Sequence, residues 1–481
     1  MSQKPFYITT ALPYVNSEPH IGFALEIVRA DIIARYKELA GFEVFFNTGT
    51  DEHGQKIFEK AEEAGVSTKD YVDRLVLKFK ELNSLLNIKE DINFIRTTDE
   101  SHIKSAQAFW KRCDEAGYIY KKDYEIKYCV GCELEKTDSE LEDGQCLFHP
   151  KNEIELIKEE NYFFKFSDFG DKLLKFYGED DDFVLPDFRY KEIKKFIESG
   201  LNDFSISRVK AKMPWGIAVP GDDTQVMYVW FDALVNYISA IGWPADEALF
   251  KKWHIASGGM VQYAGKDNLR QQSAMWQAML MSVGLPNSKK VIINGFINDA
   301  KGEKMSKSVG NVVGPTELVS EYGVDALRYY LARHVSNFED HDFSHDGFKE
   351  IYNANLANGL GNLTSRIMKM ATTNLSEAIK IENITLPDEY KNALDQFDIN
   401  TTSDFIWRQI GDLDKIIQEK EPFKLIKTNP AEAKNIIKDL VQRLHTIGVL
   451  LKPIMPATAE KIITHTTENK MPEIPLFERK D

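Results

Sequence analysis

The stretch from Tyr7 to Gly41 limits what this chain can fold into more than any other. It begins YITTALPYV, an apolar and β-branched run of the kind a buried strand needs. Asn16-Ser17-Glu18-Pro19 breaks that run with turn chemistry. Beyond the turn, Ile21, Leu25, Val28, Ile32, Tyr36 and Leu39 fall at helical spacing, and Gly41 supplies a stop. The free N–H groups and positive end of such a helix suit an anion. His20 adds a donor at that point, and Gly22 lets a flat base lie directly on the backbone. A histidine at a helix start is more often a cap or a packed residue than a catalyst, so this stretch alone defines no activity.

A second stretch changes that reading. Lys304-Met305-Ser306-Lys307-Ser308, with Gly302 and Gly310 on either side, is a loop carrying two cations that would clamp a pyrophosphate. A loop of this kind is usually a solvated turn. Found together, P-H-I-G after the first strand and KMSKS near residue 300 resemble the two signatures of class I aminoacyl-tRNA synthetases.

The remaining sequence predicts an α/β chain: a Rossmann-type parallel-sheet catalytic domain, an inserted connective domain with a zinc knuckle, and a C-terminal helical bundle. Phe42–Phe46 continues the sheet, and 55–117 reads as helical with stops at Gly65 and Gly117. The first half of the sheet domain is placed at 1–117, the insertion at 118–207 and the second half at 208–294. That second half returns with the strand Gln225–Trp230, continues through Trp253–Ile255, a loop from Gly258 to Gly265 and a helix at 270–283, and ends in the strand Val291–Ile293. A linking segment with the KMSKS loop occupies 295–349, the bundle 350–467 and a tail 468–481. Helical patterns at 350–373, 388–419, 430–451 and 456–466 build the bundle. No apolar run is long enough to span a membrane, and there is no secretory leader, so the expected location is the cytoplasm. A net charge of −15 argues against indiscriminate coating of nucleic acid but permits a specific RNA partner.

Three of the four cysteines cluster. Cys129-x-x-Cys132 and Cys146-x-x-His149, separated by thirteen residues, aim four soft or borderline ligands at one point. A disulfide would leave an odd cysteine in the cluster. One structural zinc, with every position filled by protein, is expected to staple an insertion with little core of its own. Cys113 has no role in this reading.

In order, ALPYVNSEPHIGF, TGTDEHG, the knuckle, MYVWFDALVNY, YAGKDN, KMSKS and NLTSR resemble the methionyl-tRNA synthetase family, from about residue 5 to about 465. The resemblance implies activation of methionine by ATP to methionyl-adenylate, followed by transfer to the 3′ end of tRNA(Met), initiator tRNA included. It implies that Leu12, Tyr14, Trp230, Ala233 and Tyr237 wall the methionine side chain, with Asn268 and Gln272 nearby. Asp51 then holds the α-ammonium by a charge-assisted bond. His20, Gly22, Phe23, Arg208, Gly265, Asp267, Lys304, Met305, Ser306 and Lys307 fall at nucleotide positions, with His20, Gly22, Lys304 and Lys307 carrying the catalysis and magnesium accompanying ATP. Asn362, Arg366, Pro422 and Phe423 match anticodon-reading positions. The bundle ends without a dimerising appendage, which implies a monomer.

Two departures stand out. Phe23 replaces a second signature histidine, and a phenyl ring cannot donate to a nucleotide. Asn268 and Gln272 stand where the family commonly has an apolar residue and a histidine, so the amino-acid pocket is remade or the helix is shifted. Two alternatives follow: a class I synthetase for another apolar amino acid, suggested by Asn268 and Gln272, and a catalytically silent tRNA-binding relative, suggested by Phe23.

Overall fold

A computed structural model describes residues 3–132, 134–136, 140–150, 153–305 and 313–481. The chain forms two compact units. One comprises Met1–Glu18, Glu43–Lys80 and Asp91–Ile293, the other Pro19–Phe42, Glu81–Glu90 and Asn294–Asp481.

The first unit is built on a six-stranded sheet in the order Asn93–Arg96, Glu43–Thr50, Pro5–Thr10, Val261–Gly265, Lys290–Asn294, Val184–Leu185. Ile8 pairs with Val261, Tyr7 with Phe45, Asn47 with Asn93 and Val291 with Val184, all in parallel. Tyr7, Ile8, Thr9 and Thr10 are fully buried, which is why the first strand reads as a continuous run rather than an alternating one. Its neighbours are Glu43–Thr50 on one side and Val261–Gly265, from far along the chain, on the other. The carboxyl ends of these strands therefore form a topological switch point, where open α/β sheets bind ligands.

The inserted part is a long antiparallel hairpin, Ile119–Cys129 against Ile154–Phe164, in register from Ile119↔Phe164 to Cys129↔Ile154. The cysteine cluster closes its far end. An edge strand of the parallel sheet, Val184–Leu185, also comes from this part of the sequence.

Several local expectations give way. The first strand stops at Thr10. Asn93–Arg96 is a strand within the stretch expected to be helical. Gly258–Gly265, expected as a loop, contains the central strand Val261–Gly265; the flanking glycines masked a short apolar segment whose burial comes from its neighbours. Asp222–Met227 pairs antiparallel with Ser207–Val209 in a separate small sheet, so the run before Trp230 is not part of the parallel one. Trp253 to Ile255 lie in a wide helical turn, Lys251–Ile255.

The second unit contains the signature helix Ile21–Leu39 and the helices of the bundle, Asn362–Asn374, Ile399–Lys420, Pro430–Leu451 and Pro456–Glu468. Asp398 caps the second bundle helix by accepting from Thr401 N at 2.9 Å, and Pro430 and Pro456 open the last two, where a missing N–H costs nothing. The helix Ile21–Leu39 buries two charged side chains. Asp31 pairs with Arg328 at 2.6 Å, neither exposed, and Arg29 donates to the carbonyls of Val335, Ser336 and Asn337 at 2.8 Å each. The last residues have no regular structure but are held: Phe477 is buried, Tyr352 Oη donates to Glu478 O, and Asn353 exchanges two bonds with Lys480. Among the described residues no helix is long and apolar enough to cross a membrane.

Candidate active site and metal knuckle

In the first unit, two of the residues expected to hold the amino acid, Tyr14 and Asp51, lie at the switch point. Beyond their last sheet pairing, the first two strands meet once more: Tyr14 and Asp51 form a parallel bridge, Val15 N donating to Asp51 O and Asp51 N to Pro13 O, each 3.0 Å. Asp51 and Tyr14 are thereby fixed side by side, with Asp51 buried. The turn after Asp51 is locked by Glu52, which has no exposure and accepts from Arg96 Nε and Nη2 (both 2.7 Å), Thr50 Oγ1 and Thr98 Oγ1 (both 2.6 Å). The bonds to Glu52 hold the Arg96 guanidinium well above its ordinary pKa. Trp215 Nε1 donates to Glu52 O, and His53 Nδ1 lies 3.2 Å from Asp232 Oδ2. Burial pushes the Asp232 carboxyl up, and His53 beside it pulls the other way. Asp232 sits in the helix Val229–Leu234 that carries Trp230 and Ala233, and Tyr237 follows in Asn236–Ser239. Tyr7 Oη, from the first strand, donates to Tyr237 O at 2.7 Å.

The strand Val261–Gly265 leads into the short helical turn Lys266–Asn268, where Asp267 is exposed and accepts from Asn268 Nδ2 at 3.3 Å. Gln272 follows in a wide turn, Gln271–Met275, and is buried. Arg208 is also buried. It donates to Ser205 Oγ and Ser207 O, and its guanidinium lies 4.0 Å from the Tyr228 ring centre and 5.5 Å from that of Tyr128.

In the second unit, His20 is the N-cap of the signature helix: Gly22 N donates to His20 Nδ1 at 3.1 Å. With Nδ1 accepting, the neutral ring carries its proton on Nε2, the atom a phosphate would need as a donor. A Cβ at Gly22 would lie 2.9 Å from His20 Cε1, so glycine keeps the imidazole in this pose. Phe23 is partly buried one position on. Lys304 bridges back to Asn298, and its Nζ lies 4.6 Å from the Phe296 ring centre. Met305 is the last described residue of that loop, and Ser306 and Lys307 lie outside the described residues. In the bundle, Asn362 is exposed, Arg366 forms an ion pair with Asp414, Pro422 is buried at a helix start, and Phe423 is exposed.

The metal cluster is compact. Cys132 Sγ lies 3.4 Å from Cys146 Sγ and 3.2 Å from His149 Nδ1, Cys129 Sγ is 4.0 Å from His149 Nδ1, and all four ligand atoms lie within 4.8 Å of one another. Tetrahedral zinc at about 2.0–2.3 Å from each ligand spaces them roughly 3.3–3.8 Å apart, so the residues fit that ion with no open position. His149 N donates to Cys146 O, setting the turn that aims the last two ligands. This is a structural zinc site.

Sequence reasoning missed the Glu52–Arg96 lock, the His53–Asp232 pair, and Gln271 and Trp276. Gln271 is buried, and the Trp276 ring lies 5.9 Å from that of Tyr237. The signal was the spacing 272 to 276, one turn on the face that also carries Gln272.

A parallel sheet with the buried Asp51 at its switch point, together with a zinc-stapled insertion, is the architecture of a nucleotide-dependent ligase of the Rossmann type. The family described as tRNA synthetases class I (M) matches residues 6–147 and 131–368. The chain is 40% identical to the methionine–tRNA ligase of Thermotoga maritima, over 97% of this chain and 76% of the relative. It is 39% identical to that of Rhizobium meliloti, over 95% and 91%. A Mycobacterium tuberculosis methionyl-tRNA synthetase in complex with methionyl-adenylate superposes with a TM-score of 0.90 at 34% identity, covering 99% of this chain and all of the other. The chain belongs to the methionyl-tRNA synthetase family.

Proposed function

We infer that this protein is a methionine–tRNA ligase, joining methionine to ATP as methionyl-adenylate with release of diphosphate, then passing the methionyl group to the 3′ end of tRNA(Met). The observation that carries this is the buried Asp51, fixed beside Tyr14 at the switch point, in a chain alike over nearly its whole length to methionine–tRNA ligases. Asp51 is assigned the substrate ammonium, and Leu12, Tyr14, Trp230, Ala233 and Tyr237 its side chain. Apolar and aromatic walls suit a polarizable thioether. The substrate carboxylate is already ionised, so attack on the α-phosphate needs no general base, and the residues act by positioning and charge stabilisation. His20 Nε2 and the backbone at Gly22 are assigned phosphate and base, Asp267 with Gly265 the ribose, and Arg208, Lys304 and Lys307 the triphosphate. Magnesium enters with ATP and shares the phosphate charge. Asn362, Arg366, Pro422 and Phe423 are assigned the anticodon by edge bonds and stacking. Charging of tRNA places the enzyme in the cytoplasm. ATP–pyrophosphate exchange over all twenty amino acids, followed by charging of tRNA(Met), is the test. Exchange with methionine alone is expected; exchange with another amino acid, or none, overturns the assignment.

A further inference from the structure

Away from the switch point, the first unit holds a cavity of about 480 Å³, within the roughly 300–1,000 Å³ that small-molecule sites occupy. Trp243, Phe250, Ile255, Leu285 and Pro286 give it apolar walls, and Arg112 stands at its edge. The segment Phe250–Ile255 leads into the strand Val261–Gly265, and Gly284–Pro286 into Lys290–Asn294. Lys252, in the first of these segments, pairs with Glu43, which opens the strand Glu43–Thr50. The cavity therefore lies at the amino ends of the strands, the end of the sheet opposite Asp51 and Tyr14, and shares no residue with the site described above. Its walls are tied together before anything enters. His254 Nε2 donates to Pro286 O at 2.9 Å, and the same imidazole packs with its centre 5.0 Å from that of the Phe250 ring.

The charges around this cavity are not equivalent. Lys251 pairs with Glu247 at 2.7 Å, and Asp246 spends its carboxylate on Leu249 N at 2.9 Å. Arg112, exposed near the end of the helix Glu100–Glu115, has no ion pair or hydrogen bond to its guanidinium among the described residues. It stacks instead over Trp243, its guanidinium carbon 4.9 Å from the ring centre. Stacking occupies a face of the guanidinium and leaves its N–H edge free to take a carboxylate through two parallel bonds. Walls made of indole, phenyl and proline rings suit a flat aromatic body. We propose that this cavity is a second small-molecule site, taking a flat aromatic monocarboxylate whose ring lies among the apolar walls and whose carboxylate meets Arg112. Charge complementarity selects that occupant: with Glu247 and Asp246 already committed, the unanswered charge is the cation of Arg112.

The test is a titration of the full, zinc-loaded chain with indole-3-acetate, followed by saturation-transfer NMR on the ligand. Binding is expected to saturate with a Kd on the order of 1 mM, which a ligand of this size reaches at ordinary efficiency. Indole-3-acetamide keeps the shape and removes the charge, and is expected to bind the wild type about 5-fold more weakly or worse. In Arg112→Gln, a change at an exposed position, the acid should fall to the level of the amide while the amide stays within about twofold. Saturating methionine should leave the wild-type Kd within about twofold, as two uncoupled sites require. Failure of the wild type to saturate, or equal affinity for acid and amide, overturns the proposal whether or not the variant folds. A folded variant that keeps the preference for the acid, or displacement of the acid by methionine, overturns it as well.

Discussion

The switch point and the bundle surface around Arg366 and Phe423 hold their side chains in opposite ways. Beside Asp51 the polar side chains are committed to one another: Glu52 takes four side-chain bonds, and Asp232 sits against His53. On the bundle, Arg366 and Asp414 are each about one-third exposed, and Phe423 presents its ring to solvent. A small substrate is recognised by a pocket built before it arrives, and the contacts are worth most where water is excluded. A single-stranded loop needs bases to stack on exposed rings and cations able to exchange partners. Arg366 can leave Asp414 for an RNA edge at little cost, because an exposed ion pair contributes only about 0–1 kcal/mol; Arg96 cannot leave Glu52.

The largest effect that would break this contrast is at Asp51. Asp51→Ala is expected to lower kcat/KM for methionine in pyrophosphate exchange by on the order of 100- to 1000-fold, the penalty for stranding one partner of a desolvated charge pair; a few-fold loss would mean the pocket is wetter than its geometry indicates. Next is a pH effect on the same core. Burial, aided by the charge of nearby His53, pushes His102 down to about 3. Its folded value is below its unfolded one, so His102 costs no stability above about pH 6.5. Below that, the unfolded chain takes up a proton the fold refuses, at about 1.4 kcal/mol per pH unit until pH 3. Chemical denaturation at pH 7.5 and 4.5 should show a drop in the wild type that is smaller by roughly 2–3 kcal/mol in His102→Gln. At the anticodon contacts proposed above, the change is smaller and falls on a different step. Phe423→Ala should weaken charging of tRNA(Met) by about 1–3 kcal/mol of stacking while leaving pyrophosphate exchange untouched. Smallest is Phe23→His, expected to lower the KM for ATP a few-fold by restoring a donor, roughly one net hydrogen bond; no change would make the missing donor irrelevant.

The same contrast separates what sequence could and could not reveal. Motifs that act through the backbone, such as Pro19-His20-Ile21-Gly22 and the paired C-x-x-C and C-x-x-H turns, carry their geometry locally, so residue type and spacing sufficed. The helices of the bundle were legible for the same reason: Ile437, Leu440, Val441, Leu444 and Leu451 mark one buried face. The strand Val261–Gly265 was not, since its identity depends on lying between Pro5–Thr10 and Lys290–Asn294 rather than on its own residues.

One consequence follows from the buried charges of the helix Ile21–Leu39. The carbonyls that take up Arg29, and the guanidinium that meets Asp31 alongside Arg35, belong to residues 328–337, some three hundred positions later in the sequence. Until that distant segment is synthesised, this helix has no place to bury its ionic groups, so the nascent chain cannot finish its N-terminal part first and add the rest afterwards. Truncation before residue 328 would yield not a smaller activating enzyme but a chain in which Arg29 has lost the carbonyls that hold it.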